Sequence, residues 1–586
     1  GRMDDTAQWK TLELVSPSNY LICVVSDRRR VLAGIGGRRM TAQVNGQPLE
    51  GGTSREFKVA QPELRELPDK AAGYTGVDFL LLYQTPLEAS KLSHDRMDAI
   101  VDFARSGGTV VLAAGDRAWF ARKELRPIFP AKRVAPAPQK EADRLEERLR
   151  GRYTPLPPGP KGMTVHKFEA PGFAWDASRG FYSGNCGLGR VAVWQLDPMS
   201  RRVRSWSGLY SLWADLGLRY HRGRKPREEY GYGFANNPDN NDVLRARMRV
   251  EELNLSRERA ASAFVVVFLV VFYLVLVGPV NYFVLRRLDM RALSIVTIPL
   301  LAAVFVLLTF AVGYLSRGVT TVGRRLTLAA AGSGAVRAYC VTSQSVFPSG
   351  SMLADVSTDG RGLVCPLLGT GMSGVQERVF AVQDEDNYTL ESHPMRMWEM
   401  AYFEAVSTRP LGGSVRLEAL TDSGGGFDGR YRLVNNSSVQ LENAFVTSSL
   451  AGGRYAWIGE VKRGVKYEGR VEIWRQGGYG GAYGGTAAPQ LILENALKLW
   501  FRGELGGKSL YPMVQGEDKF AEQASTVIRK DPRLEDARFG GRPGMMLFAF
   551  AREEFEPIRL NGRSIRAREG ESRDVLVIFA EVGGRK

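Results

Sequence analysis

Residues 261–315 read ASAFVVVFLVVFYLVLVGPVNYFVLRRLDMRALSIVTIPLLAAVFVLLTFAVGYL, and this stretch decides the architecture of the chain. It holds two uncharged runs, 261–285 and 292–315, with six residues between them. At about 1.5 Å per residue, each run forms a helix of roughly 36 Å, which is enough to cross a hydrocarbon core of about 30 Å. A buried helix of a globular protein is the alternative, and two such runs in close succession disfavour it. The sequence therefore predicts an integral membrane protein with a transmembrane helical hairpin over 261–315.

The turn of this predicted hairpin is basic, since it holds Arg286, Arg287 and Arg291 against Asp289. An excess of arginine is typical of cytoplasmic loops, although arginines on the outer flanks make the asymmetry modest. Two crossings return the chain to the side on which it started. We therefore expect both flanking domains to face the same compartment. The basic turn predicts that this compartment lies outside the cytoplasm and that the two spans cross the inner membrane.

Four residues before the turn complete the predicted membrane anchor. Gly278 and Pro279 are expected to bend the first helix, whereas Asn281 and Tyr282 lie near the interface, where aromatic side chains are frequent. Neither run carries an ionisable residue of the kind that marks ion and proton pathways. The hairpin is accordingly predicted to be an anchor or docking surface and not a transport route by itself.

The part of the chain before the hairpin alternates apolar runs with helical stretches. A helix that Ser93 caps and that ends at Gly107-Gly108 separates two of the runs. This alternation predicts an α/β domain over 1–228 with a parallel sheet, followed by a linker and juxtamembrane helix over 229–260. The predicted strands are 21–25 (LICVV), 77–83 (VDFLLLY), 109–114 (TVVLAA) and 190–196 (RVAVWQL).

After the hairpin the pattern changes to short alternating strands separated by Gly, Ser, Asn and Asp, such as 414–419 and 429–434. Strands at this spacing are typical of a β-sandwich. We expect an all-β, sandwich-like domain over 316–586, with a helical insertion near 493–530.

The composition narrows the classes of partner and cofactor. The net charge of +16 favours anionic partners, but no basic region carries a nucleic-acid-binding motif, so the lipid bilayer is the expected partner. Four cysteines and four histidines make a metal site improbable, and no cofactor is implied. Two cysteines fall in each half, so the sequence allows one disulfide per domain, including Cys340–Cys365, without showing it. Because the chain begins Gly1-Arg2-Met3, we expect a processed or truncated start.

Several short patterns recur along the chain in a familiar order, at 67–68, 76–78, 106–109, 187–191, 278–287, 429–435 and 441–444. Taken together, they resemble a group of bacterial membrane proteins. These proteins have an extracytoplasmic class I glutamine-amidotransferase-like domain, a two-helix hairpin and a C-terminal β-rich domain. The resemblance implies a flavodoxin- or amidotransferase-like sheet, outward-facing domains and a link to ABC-type exporters or envelope assembly, with no established activity.

The catalytic residues that the resemblance would imply are missing from this sequence. True amidotransferases carry a cysteine nucleophile in the turn after a central strand and a His-x-Glu pair elsewhere. The matching turn here is 113–116, which ends at Asp116 and has no cysteine, and no histidine is followed two residues later by glutamate. The domain is therefore interpreted as a pseudoenzyme with no catalytic residues. Asp116 remains a candidate ligand-binding residue, and a helix cap is the favoured role for it.

Three functional hypotheses follow. The favoured one is a non-catalytic envelope protein, anchored by the hairpin, whose outward-facing domains bind a partner or an envelope polymer. The second is an accessory subunit of an ABC-type exporter or envelope-assembly complex, in which case transporter subunits are the partners. The third is a cryptic hydrolase or transferase that uses Asp116.

Overall fold

The computed structural model describes most of the chain between residues 20 and 581. Within that interval the residues outside the description are 27, 29–30, 33–34, 36–42, 45–46, 49–55, 75, 84–91, 114–121, 127, 130–132, 159–164, 170–173, 177–179, 187, 221–262, 289–292, 318–319, 359–361, 367–380, 384–387, 422–426, 449–454, 472–543, 553–554, 556–557 and 566.

The N-terminal domain is built on a seven-stranded sheet of order β4-β1-β5-β6-β11-β10-β9. The first five of these strands are parallel, whereas β10 and β9 run antiparallel at one edge. Taken in chain order, the parallel strands are arranged second, first, third, fourth and fifth, which is the order of a doubly wound, flavodoxin-like sheet. The strands of this domain are β1 (Tyr20–Val25), β2 (Gln43–Val44), β3 (Gln47–Pro48), β4 (Phe57–Ala60), β5 (Phe79–Leu82), β6 (Thr109–Ala113), β7 (Arg133–Pro136), β8 (His166–Glu169), β9 (Ala174–Asp176), β10 (Phe181–Cys186) and β11 (Gly189–Trp194).

Helices cover both faces of this sheet, and two apolar cores result. Side chains alternate along a strand, so Phe79 and Leu81 of β5 enter one core while Leu80 and Leu82 enter the other. The first core is aromatic, and Trp194 and Trp213 meet edge to face in it with ring centroids 5.6 Å apart. The helices are α1 (His94–Arg105), α2 (Gln139–Arg152), the short α3 (Arg201–Arg204) and α4 (Leu209–Tyr220).

Two long apolar helices follow. The first consists of α5 (Ala263–Val275), a π-helical segment (Leu276–Val280) and α6 (Asn281–Arg287), and the second is α7 (Ser294–Arg317). Within these, Val267–Arg287 and Ser294–Val312 are each long and apolar enough to cross a membrane.

The C-terminal domain is β-rich and contains an eight-stranded sheet of order β15-β18-β13-β12-β27-β24-β21-β22. A three-stranded sheet, β19-β20-β23, packs on one part of it and a five-stranded sheet, β16-β17-β14-β25-β26, on another, so that two apolar cores share the large sheet. The strands are β12 (Val322–Gly332), β13 (Arg337–Phe347), β14 (Met352–Thr358), β15 (Leu363–Pro366), β16 (Ala381–Gln383), β17 (Tyr388–Met395), β18 (Ala401–Pro410), β19 (Val415–Thr421), β20 (Phe427–Asn435), β21 (Leu441–Ser448), β22 (Tyr455–Val461), β23 (Lys466–Arg470), β24 (Gly544–Ala551), β25 (Ile558–Leu560), β26 (Arg563–Ser564) and β27 (Ala567–Glu581).

The coarse fold prediction is confirmed: an α/β sheet precedes two apolar helices, and a β-rich region follows them. The helix that Ser93 was expected to cap is α1, and the Ser93 hydroxyl accepts a hydrogen bond from the Arg96 backbone N–H at 3.4 Å. The helical insertion predicted near 493–530 lies outside the described residues, as does the whole linker and juxtamembrane helix predicted over 229–260.

Candidate functional site: the apolar hairpin and the interdomain contact

The two apolar helices expose nearly all of their side chains. Among the residues of these helices whose side chains the structure describes, only Leu285 and Phe305 are buried. In the middle of α7, Val306 and Leu307 are 68% and 70% exposed. A long apolar helix in the core of a globular protein is buried, so these helices do not fit that alternative. Contiguous apolar surface of this extent is typical of a membrane or protein interaction site.

An aromatic contact joins the two helices to each other. The Phe305 ring of α7 lies with its centroid 5.2 Å from that of Tyr273 and 5.8 Å from that of Phe272, both on α5. Tilted ring pairs at this separation are favourable beyond the area that they bury. The helices therefore form a packed hairpin whose remaining surface is apolar and uncovered.

The residues predicted to form the anchor lie at the turn end of this hairpin. Gly278 and Pro279 belong to the π-helical segment, where Pro279 removes a backbone donor and the helix widens. Asn281 and Tyr282 begin α6, and Tyr282 is exposed. Arg286 and Arg287 are the last two residues of α6, whereas Arg291 lies outside the described residues.

An ion pair connects the domain before the hairpin to the domain after it. Asp102, in the last turn of α1, accepts a hydrogen bond on Oδ2 from Arg337 Nη1 at 2.5 Å, and Arg337 is the first residue of β13. Arg105 lies on the same carboxylate, with its Nη1 4.0 Å from Asp102 Oδ1. Beside this pair, the 3-10 turn Ala71–Tyr74 lies against β18. No sequence signal pointed to this contact, because its partners are 235 residues apart.

The environment of Asp102 alters its acidity. Burial raises the pKa of this carboxyl above its ordinary value of 3.8, while the charges of Arg337 and Arg105 oppose the rise. Asp98, on the same helix, adds a smaller repulsion. A carboxylate held this far from water depends on its cationic partners to stay ionised.

The contact between the domains is polar in character. Each apolar cluster formed by the described residues belongs wholly to one domain, and none includes residues of both.

The contact lies at the amino ends of the parallel strands. There α1 ends just before β6, and the backbone N–H of Leu188, just before β11, donates to the Arg105 carbonyl at 2.9 Å. The opposite edge of the sheet is therefore not part of this contact.

That opposite edge is where open α/β sheets bind ligands, at the point where the strand order reverses. Here the reversal falls between β1 and β5, which are followed by Ser26 and Tyr83. The Tyr83 hydroxyl donates to Asp197 Oδ1 at 2.7 Å, and the same oxygen accepts from the Met199 backbone N–H at 2.9 Å. This arrangement ties the loop after β11 to the end of β5. These hydrogen bonds indicate a structural role for Tyr83 and Asp197.

Asp116, the candidate ligand-binding residue, lies outside the described residues. The strand expected before it is confirmed as β6, which ends at Ala113 between β5 and β11. The carboxyl end of β6 therefore lies one strand away from the reversal point. Its role in binding stays a prediction.

The disulfide that the sequence allowed is not formed in the structure. Cys340 on β13 and Cys365 on β15 are both free thiols, and β18 lies between their strands. Two strand spacings separate the backbones by about 10 Å, which exceeds the Cα separation that a disulfide tolerates. Cys23 and Cys186 are also free and buried, and burial raises the pKa of each thiol to about 12.

The described residues contain no group of three or more His, Cys, Asp or Glu side chains that could hold a metal ion. No protein-family model matches the sequence, and no curated protein matches it either. The features that bear on function are therefore the hairpin and the domains that flank it.

Proposed function

We propose that the chain is a non-catalytic envelope protein anchored in the inner membrane by the hairpin of α5, α6 and α7. The observation that carries the proposal is the apolar surface of this hairpin. Its helices bury only Leu285 and Phe305 among their described side chains, which leaves the other apolar groups to be covered by a medium outside the chain. Lipid acyl chains provide such a medium without burying a charged side chain, because every charged residue described in these helices lies at a helix end, and the helices satisfy their own backbone hydrogen bonds.

The contact between Asp102 and Arg337 supports a common location for both domains. Asp102 precedes the hairpin and Arg337 follows it, and their side chains meet at 2.5 Å. Two crossings of a membrane leave the ends of the hairpin on one side, so the topology and the contact agree. A single crossing would place the two side chains on opposite sides of a bilayer.

The resemblance to bacterial membrane proteins with an amidotransferase-like domain supports the outward orientation and the choice of partner. On that basis the two domains bind a membrane or envelope partner, and subunits of an ABC-type exporter are the second candidate. Purification of the chain in a mild detergent separates these two possibilities. A permease or transport ATPase that co-purifies in fixed stoichiometry favours the exporter.

The anchoring itself is tested by alkaline carbonate extraction of membranes that contain the full chain. The unchanged protein is expected to remain in the pellet. The V306D/L307D variant is expected to move to the supernatant or to be degraded, because a carboxylate in the hydrocarbon core costs about 3 kcal/mol. Leu353, which is 67% exposed on β14, provides the matched control, and L353D should stay in the pellet.

Release of the unchanged protein by carbonate would contradict the proposal. Equal retention of V306D/L307D and L353D would contradict it as well, since the exposed middle of α7 would then not be in contact with lipid.

A further inference from the structure

The turn end of the hairpin presents two cationic side chains. Arg286 and Arg287 close α6 and are both exposed, and neither guanidinium forms an ion pair or hydrogen bond with another described side chain. This distinguishes them from Arg202 and Arg432, which bind carboxylates at 2.6 and 2.8 Å.

Two aromatic side chains just before these arginines indicate how deep in the bilayer the arginines lie. Tyr282 and Phe283 are 52% and 63% exposed, and their rings meet edge to face with centroids 5.7 Å apart. Aromatic rings of this kind are enriched where acyl chains give way to head groups. Arg286 and Arg287 follow within one helical turn, so their guanidinium groups reach the level of the lipid phosphates.

The chemistry of guanidinium favours a phosphate there. Its planar fork donates two parallel hydrogen bonds to a phosphate, and it is less strongly hydrated than an ammonium group. Basic residues at a helix C-terminus also interact favourably with the helix dipole. That effect requires no ligand, and it does not provide hydrogen-bond acceptors for the guanidinium N–H groups. The turn sequence adds Arg291 and a single acid, Asp289.

We infer that Arg286 and Arg287 form a binding site for the head-group phosphates of anionic phospholipids in the leaflet that contains the hairpin turn. The inference rests on the proposed membrane anchoring and deepens it, because it names the lipid class that the anchor prefers. The site selects anionic over zwitterionic lipids, since a zwitterionic head group carries its own cation beside the phosphate.

The test is a titration of the full chain, in a non-ionic detergent, with phosphatidylglycerol or phosphatidylcholine, followed by native mass spectrometry. Phosphatidylglycerol is expected to bind more tightly. Each basic residue near an anionic surface contributes about a fivefold change in affinity, so R286Q/R287Q should weaken phosphatidylglycerol binding about 25-fold. Binding of phosphatidylcholine should change little.

The matched control removes two exposed arginines elsewhere. R144Q/R563Q lowers the net charge by the same amount on α2 and β26, and it should leave the lipid preference unchanged. An unchanged preference in R286Q/R287Q would overturn the inference, as would an equal loss in both variants, which would indicate net charge alone.

Reconstitution into phosphatidylcholine vesicles separates this inference from the proposed function. If R286Q/R287Q and the unchanged chain both resist carbonate there, the anchoring stands and the lipid titration alone decides the inference. If the unchanged chain fails to insert, the proposed function fails and the inference fails with it.

Discussion

At the scale of single residues, Gly189 lies at the start of a strand that the sequence predicted, but the sequence does not show why glycine is needed there. The sequence predicted a strand over 190–196, and β11 begins one residue earlier, at Gly189. The structure adds that a Cβ at this position would collide with the carbonyl oxygens of Ala104 and Gly108. Backbone atoms cannot move aside as a flexible side chain can, so the position requires glycine for space.

Gly189→Ala is therefore expected to lower the free energy of unfolding of the N-terminal domain by about 3 kcal/mol, the upper part of the range for overpacking. Urea denaturation followed by tryptophan fluorescence measures the change, because Trp194 and Trp213 are buried in this domain. Gly76 is the matched control, since a Cβ there would meet nothing within 4 Å. Equal effects of the two substitutions would contradict the steric origin of the loss.

At the scale of secondary-structure elements, apolar runs identified the central strands, and longer-range pairing escaped prediction. The runs at 21–25, 77–83 and 109–114 correspond to β1, β5 and β6, because a parallel strand buried on both faces is apolar throughout. The helix α2 was not predicted, because its polar sequence buries only three side chains. Strand order depends on contacts between distant residues, which no local pattern encodes.

A buried ion pair joins two central strands of the C-terminal domain. Arg325 on β12 and Asp574 on β27 are 4% and 6% exposed, with Nη2 and Oδ2 3.2 Å apart. Asp574 Oδ2 also accepts a hydrogen bond from the Phe555 backbone N–H at 2.9 Å. The two strands are parallel neighbours although 249 residues separate the two members of the pair in sequence, so the pair fastens the end of the chain to the strand that follows the hairpin.

Removal of one member of this pair is expected to be costly because it leaves the other charge buried. Asp574→Asn or Arg325→Met should each lower the free energy of unfolding of the C-terminal domain by about 3–5 kcal/mol. The double variant should lose much less than the sum, which a double-mutant cycle measures. Strictly additive losses would show that the two groups do not interact.

At the scale of the whole molecule, the ion pair of Asp102 and Arg337 relates the two domains. It could not be predicted, because nothing in either local sequence distinguishes these residues from other charged ones. The hairpin, by contrast, was evident from residue type alone, since a run of about twenty apolar residues is typical of a membrane-spanning helix. Residues adjacent in sequence are therefore enough to predict the hairpin. The interdomain contact joins residues that are distant in sequence, so only the folded structure reveals it.

The raised pKa of Asp102 predicts a pH dependence of stability with a definite sign. Burial makes the folded state bind this proton more tightly than the unfolded state does. The resulting stabilisation is complete below the ordinary value of 3.8 and is lost as pH rises through the folded pKa. Relative to Asp102→Asn, the unchanged protein should therefore lose free energy of unfolding across that window and then remain constant.

Arg337→Gln should extend this window to higher pH, because it removes the charge that most opposes the rise of the Asp102 pKa. It should also destabilise the protein by about 1–3 kcal/mol at neutral pH, less than a fully buried pair would, since the Arg337 side chain is 31% exposed. Denaturation of the three proteins at a series of pH values measures both effects. If the stability of the unchanged protein rose relative to that of Asp102→Asn over the same pH window, the pKa of Asp102 would not be raised by folding.

The most direct test of the central claim is labelling of spheroplasts with a membrane-impermeant maleimide, before and after permeabilisation. Cys365 is exposed and reports on the C-terminal domain, whereas Cys23, Cys186 and Cys340 are buried and should stay unlabelled. Labelling above neutral pH suits Cys365, because the surrounding protein partly desolvates its exposed thiol and so raises the pKa of that thiol. In a Cys365→Ser background, Arg144→Cys reports on the N-terminal domain and Leu288→Cys on the turn.

Cys365 and the Arg144→Cys variant are expected to be labelled in intact spheroplasts, and the Leu288→Cys variant only after permeabilisation. Different accessibility of the two domain sites, or labelling of the turn together with them in intact spheroplasts, would contradict a hairpin that crosses the membrane with both domains outside.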